Sequence, residues 1–203
     1  MKENLDIIDG NIVRTTDGEI LMSLGELATE KLYSLTNNGH LTAESSYQIK
    51  NNAYSFGCTF VEVEVDIPGC RAQVTDILNV HDCGRLINPA LAEAQVHGGM
   101  SMAIGYALSE KLLYDERTGR PLNNNLLDYK LSTFMDHPDF HAAFIENYEP
   151  TSAYGTKALG EPPACSPAPA IRNAILQATG IALNEIPMRP HLLFEKFSEA
   201  GLI

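Results

Sequence analysis

Residues 58–66, CTFVEVEVD, alternate without a break: Val61, Val63 and Val65 fall on one face of an extended chain, Glu62 and Glu64 on the other. This predicts a half-buried strand. Pro68-Gly69 then turns the chain into a second strand over residues 72–80, so an antiparallel pair is expected. The opening reads as shorter strands around Leu5–Ile8, Asn11–Arg14 and residues 19–22, punctuated by the hairpin dipeptides Asp9-Gly10 and Asp17-Gly18. Ser23 with Glu26 three residues on forms a capping box ahead of Leu24, Leu27, Ala28 and Leu35, predicting a helix that ends near Asn37-Asn38-Gly39.

The period changes after residue 88. Asn88 can cap, Pro89 suits a first helical position, and the pattern runs on to about Glu110. Thr118-Gly119 marks another turn, and an irregular stretch follows through Asn123-Asn124-Asn125 and His137-Pro138. Residues 141–149 read as a strand with poor alternation. Near the end, Ser166 caps and Pro167 starts a helix carrying Ile171, Ala174, Ile175 and Ala178, closed by Gly180. No repeat, low-complexity tract or linker interrupts this order. The fold class is therefore α+β, mixed sheets with packed helices.

Composition narrows the function classes. The 203 residues suffice for a real core, and 44% hydrophobic with 20% charged residues is the balance of an ordinary soluble globular protein. Fourteen Lys+Arg against 26 Asp+Glu give a net charge of -12, which argues against a nucleic-acid partner. No apolar run approaches the roughly 18 residues that span a bilayer, and the N-terminus has no signal-peptide core, so a cytoplasmic address is expected. Four scattered cysteines, Cys58, Cys70, Cys83 and Cys165, form no CxxC pair and read as buried reduced thiols rather than a disulfide framework.

Three places could carry chemistry. Gln95 shares a helix face with Gly98, Gly99 and Met102. Two adjacent helical glycines cost about 1 kcal/mol each relative to alanine. That cost points either to something bulky approaching the backbone beside an amide, or to close helix packing beside a solvated Gln95. In HDCGRLINP, residues 81–89, the side chains of His81, Asp82 and Cys83 could ligate a metal. Successive strand residues point to opposite faces, however, and a turn leading to a helix cap explains the segment better.

The third place is GTKALGEPPACSPAPAIRNAI, residues 155–175. A phosphate loop would need Lys after the second glycine, and Glu161 stands there, so Gly155, Lys157 and Gly160 do not form one. Glu161 precedes Pro162-Pro163, which predicts extended backbone at Glu161, outside the following helix and with few alternative conformations. A general base needs such fixed placement; a loop glutamate facing a helix end is the competing reading.

These segments resemble the C-terminal part of the molybdopterin-binding subunit in the xanthine dehydrogenase and aldehyde oxidase family of molybdenum hydroxylases. GTKALGEPPACSPAPAIRNAI is similar to the family's G-x-K-x-x-G-E-P-P motif and the helix after it. SFGCTFVEVEVD resembles the strand entering that region, and HDCGRLINPALAEAQVHGGMSMAIGYALSE the linking turn and glutamine helix, all in the family's order. The resemblance runs from about Leu5 to near the chain end. It implies that Glu161 is the catalytic base that takes a proton from a metal-bound hydroxyl, and that Gln95 hydrogen-bonds the cofactor, with Gly98, Gly99, Lys157 and Gly160 completing its binding surface. No protein metal ligand is implied.

The same resemblance implies what lies elsewhere. The chain has no G-G-x-F-G-G or R-G-x-G-x-P-Q segment, no cysteine spacing for a [2Fe–2S] cluster and no G-x-G-x-x-G signature. All 203 residues would then be the C-terminal portion of a molybdopterin-binding domain, either a piece of a longer subunit or one subunit of a split enzyme, inactive alone. The molybdenum cofactor, in the molybdopterin or cytosine dinucleotide form, would be shared with an upstream segment or partner, and FAD and [2Fe–2S] clusters would sit on partner domains. A purine of xanthine type is the expected substrate, with nicotinate, aldehydes and carbon monoxide as alternatives. A non-catalytic assembly module is the competing class.

Overall fold

The computed structural model describes residues 4–34, 42–49 and 51–203, which fall into two compact units, residues 1–48 and 49–203. In the first, β1 (Leu5–Ile8), β2 (Asn11–Arg14) and β3 (Ile20–Ser23) form an antiparallel meander in that order. Asp9 and Gly10 both adopt positive φ, 49° and 76°, which is what a tight hairpin between right-twisted strands demands. Helix α1 (Leu24–Tyr33) opens on the expected capping box: Ser23 Oγ accepts from the Glu26 amide at 3.1 Å, and the Glu26 carboxylate accepts from the Ser23 amide at 2.8 Å. The described helix stops at Tyr33, with Ser34 extended; the expected end at Asn37-Asn38-Gly39 lies outside the described residues.

The second unit is built on one sheet. β4 (Phe56–Asp66) pairs antiparallel with β5 (Arg71–Asp82), and β6 (Phe140–Phe144) adds to β5 in parallel, giving the order β4-β5-β6. Both long strands outrun the alternating residues that predict them. The expected strand over residues 141–149 is shorter, its pairing ending where Phe144 meets His81, one residue from the end of β5. A register shift between Glu62 and Val63 keeps the two strands in phase, so Val61 faces Ile77 and Val63 faces Val74.

Helices cover the valine face. α2 (Pro89–Leu108) starts as expected, with Asn88 Oδ1 accepting from the Leu91 amide at 3.1 Å and Pro89 in the first turn. It buries Val96, Met100, Ala103, Ile104 and Ala107. α4 (Pro167–Thr179) buries Ile171 and Ile175 and ends on Gly180 at φ 76°, the left-handed cap its sequence predicts. α5 (Pro190–Glu199), which the periodicity leaves unassigned, adds Leu193 and Phe197 to the same core. Strands and helices thus pack as an α+β fold. All four cysteines are free, but only Cys70 and Cys83 are buried; Cys58 and Cys165 are exposed, against expectation, because Cys58 faces out from the edge strand β4 and Cys165 ends a surface turn.

Candidate functional site

The site grows from where two segments meet. After β6 the chain returns along the end of β5: the Lys157 amide donates to Cys83 O at 2.7 Å and the Arg85 amide to Gly155 O at 2.8 Å. Gly84, at φ 68°, packs so tightly here that a Cβ would lie 2.2 Å from Gly155 O. An ion pair fixes the crossing, Lys157 Nζ to Asp82 Oδ2 at 2.7 Å with both side chains nearly out of solvent. Burial pushes the Asp82 carboxyl up, but Lys157, the Gly84 amide and Asn147 outweigh it and hold Asp82 below the usual carboxylate range. Lys157 thus pairs with Asp82 and lies over the Phe56 ring, 5.6 Å from its centroid.

Four residues after Lys157 stands Glu161. Its backbone is helical, φ -91° and ψ -31°, not extended as the following proline predicts. The turn wins because Glu161 starts the short helix α3 (Pro162–Cys165), whose Ala164 amide donates to Glu161 O at 2.9 Å. Ser166 corrects a second expectation. It makes no capping bond; its hydroxyl meets Thr59 Oγ1 at 2.6 Å, so α3 runs through Ser166 almost continuously into α4. Glu161 is exposed, and with Ser55, Gly57, Pro162, Cys165 and Ser166 it lines an open cleft of about 360 Å³.

α2 packs on the other side of α3. At about 100° per residue, Gly98, Met102 and Gly99 lie within about 60° of Gln95 around the helix, but Gly99 is displaced toward the core. The structure separates them accordingly. Gln95, Gly98 and Met102 are exposed, whereas Gly99 is buried against α3, where a Cβ would lie 2.5 Å from Pro163 Cβ. Gly98 faces open space, with nothing within 4 Å of a built Cβ. Of the two readings of the glycine pair, Gly99 serves packing and Gly98 leaves clearance. The same helix brings Gln95 beside the loop, its Nε2 3.9 Å from where a Cβ on Gly160 would stand. So exposed Gln95 neighbours exposed Gly160, the residue that precedes Glu161.

Among the described residues no cluster of three or more His, Cys, Asp or Glu side chains could hold a metal ion. His81 is instead a core residue, buried with both ring nitrogens lacking a partner, and pressed against Gly57. Sequence reasoning missed the residues that hold α3: Asn79, Thr59 and Tyr106. The signal for Asn79 was present, because it occupies a core-facing position of β5 between Ile77 and His81.

A family model, the molybdopterin cofactor-binding domain, matches residues 1–138, which include Gln95, Gly98 and Gly99. Beyond it, the xanthine dehydrogenase molybdenum-binding subunit of Escherichia coli O157:H7 is 51% identical over 98% of this chain, and 27% of that protein is covered. The aldehyde oxidoreductase molybdenum-binding subunit of Escherichia coli K12 is 33% identical over 83% of the chain and 24% of its own length. Among solved structures, reconstituted CO dehydrogenase from Oligotropha carboxidovorans superposes with a TM-score of 0.83 at 25% identity, covering the whole chain and 26% of that one. The chain thus spans about a quarter of the length of the relatives it matches. On the family match over residues 1–138 and the identity to these subunits, with a fold shared with a solved relative, the chain belongs to the molybdopterin cofactor-binding domain family.

Proposed function

We propose that this chain is the C-terminal part of the molybdenum-binding subunit of a hydroxylase of xanthine dehydrogenase type, with Glu161 as general base and Gln95 as a cofactor-binding amide. The observation that carries the reading is that the Gln95 amide lies beside the bare Gly160 backbone, directly before the exposed Glu161 that lines an open cleft. The residues fit a molybdenum cofactor in a specific way. A metal that arrives held by its own pterin needs no protein ligand cluster, but it needs donors, acceptors and room for a flat ring system. Gln95 offers a donor and an acceptor, and Gly98 and Gly160 leave the room. When bound, the cofactor supplies a two-electron acceptor and lowers the pKa of water. Glu161 then accepts a proton at its carboxylate, and α3 keeps that carboxylate at a fixed distance from Gln95. Gly99 lets α3 approach α2, while Lys157 spends its charge on Asp82 and anchors the loop rather than the ligand.

A purine of xanthine type is the substrate we assign, supported by the 51% identity to a xanthine dehydrogenase subunit; aldehydes, nicotinate and carbon monoxide are the alternatives. The rest of the pocket is assigned to the remainder of the subunit, about three-quarters of the relatives' length. A surface for it is at hand: Leu126, Leu127, Phe134 and Met135 are all more than three-quarters exposed. Iron–sulfur and flavin carriers belong to partner domains, in a cytoplasmic enzyme of purine metabolism. No helix among the described residues is long and apolar enough to cross a membrane.

Glu161→Gln in the assembled enzyme tests the reading. Turnover of xanthine falls by about 10²–10⁴ while molybdenum content and assembly persist. Unchanged turnover on every one of xanthine, benzaldehyde, nicotinate and carbon monoxide that the wild type accepts would make the chain a structural module instead. Mass spectrometry of the released pterin distinguishes molybdopterin from its cytosine dinucleotide form.

A further inference from the structure

Four prolines lie within residues 162–169, at 162, 163, 167 and 169, and each removes a backbone donor. In a continuous helix the Pro163 carbonyl would accept from the amide four residues on, but that residue is Pro167. The sequence therefore builds an orphan acceptor into the turn that carries Glu161. The fold answers it from the sheet. Asn79, fully buried on β5, donates Nδ2–H to Pro163 O at 3.0 Å. Its own Oδ1 accepts from Thr59 Oγ1 at 3.1 Å, and Thr59 meets the Ser166 hydroxyl at 2.6 Å. Both ends of the Glu161 turn are thus bonded to one side chain, directly at Pro163 and through Thr59 at Ser166. From the other side Tyr106 donates its hydroxyl to Ala164 O.

Asn79 stands where an apolar residue would be the cheaper choice. Its neighbours on the buried face of β5 are Ile77 and His81, and a buried amide costs free energy unless its partners are made. We infer that Asn79 is a positioning residue for Glu161: through the Pro163 carbonyl and the Thr59–Ser166 link it sets where the carboxylate stands relative to Gln95. This rests on the reading of Glu161 as base. Positioning of a reacting group is worth large rate factors, so a small displacement of α3 lowers turnover without weakening substrate binding.

The test uses the full-length subunit assembled with its partners, xanthine as substrate, and rates expressed per bound molybdenum. Asn79→Leu keeps the volume and removes the bonds. The expected result is kcat at least tenfold lower with KM within twofold, and faster amide hydrogen exchange in the peptide spanning residues 159–166 while α5 exchanges as in the wild type. Glu161→Gln is the control, and the double variant is expected to be no slower than Glu161→Gln alone. Wild-type kcat in Asn79→Leu beside an inactive Glu161→Gln overturns the inference and leaves the base standing. An active Glu161→Gln overturns both. Should Asn79→Leu lose its molybdenum, Thr59→Val, which removes both the link to Ser166 and the donor to Asn79 Oδ1 but leaves the Asn79–Pro163 bond, is expected to lower kcat about threefold with KM unchanged; wild-type kcat and exchange in that variant overturn the inference equally.

Discussion

Gly99 and Pro163 touch with no room for a side chain between them: a Cβ on Gly99 would stand 2.5 Å from Pro163 Cβ and 2.9 Å from its carbonyl carbon. This contact sets the distance between the glutamine helix and the turn that bears Glu161. Pro163 is itself buried and cannot swing away as a flexible side chain would. Gly99→Ala is therefore expected to push α3 off α2 and cost about 1–3 kcal/mol, since overpacking a tight contact outweighs the helix propensity gained. Denaturant titration of the variant measures it, and the assembled enzyme is expected to lose turnover even where it retains molybdenum.

The neighbouring glycine makes the opposite prediction. Gly98 is exposed with nothing within 4 Å of a built Cβ, so Gly98→Ala meets no clash and is expected to raise stability by up to about 1 kcal/mol. If the clearance is there for the cofactor, the assembled variant shows a lower molybdenum content. Elemental analysis beside a denaturation curve separates the two effects. A variant both more stable and fully loaded would return Gly98 to the role of an ordinary helix-surface residue.

These two glycines also show how far the sequence reaches. The paired glycines after Gln95 are visible in the chain, and helical geometry puts all three near one face, but the roughly 40° between Gln95 and Gly99 places Gly99 against α3, which no local pattern supplies. The hairpins, the capping box, the β4–β5 pair, the N-cap of α2 and the Gly180 end of α4 were legible because each rests on local rules: turn dipeptides, reciprocal capping, alternation of period two. α5 was not, because two buried residues at its start and Phe197 four residues on give only a thin stripe that Pro190 interrupts on one side. The parallel pairing of β6 was equally hidden, since it is a long-range contact across the whole of α2. At the site, the pre-proline rule predicted extended backbone at Glu161 and lost to a turn hydrogen bond that forms only when α3 is packed. Lys157 read as a ligand for something outside the chain, and only the return of residues 155–157 to β5 brings it onto Asp82.

That buried pair supports a third prediction. Removing one partner leaves the other charge without compensation, so Lys157→Met is expected to destabilise the chain by about 3 kcal/mol. Asp82→Asn with Lys157→Met together is expected to recover most of the loss, because no uncompensated charge remains. A double-mutant cycle by urea denaturation reads the coupling. Asp82 also adds a pH dependence. Its folded pKa lies below the unfolded value, so the stability it contributes is present above about pH 4 and is lost as pH falls through the folded pKa.

His81 gives the last prediction, in a different pH range. It is about 1% exposed, its two ring nitrogens find no partner, and burial pushes its pKa below the ordinary value. Protonation would place an unpaired charge in the core, on the same sheet face as Asn79 and beside Gly57, where a Cβ would lie 2.5 Å from the imidazole. The sign follows from linkage. The unfolded chain takes up the proton near pH 6.5, whereas the folded chain takes it up only at lower pH, so stability falls as pH drops below about 6.5 and levels off below the folded pKa. Replacing His81 with Leu keeps an apolar group of similar volume and removes the titrating ring. The difference in urea midpoint between wild type and His81→Leu is therefore expected to shift in favour of the variant between pH 7.5 and pH 5.5. A difference that stays flat across that interval would mean that the imidazole is charged or paired in the folded protein, and the core beneath the Glu161 turn would be polar where it is here described as closed.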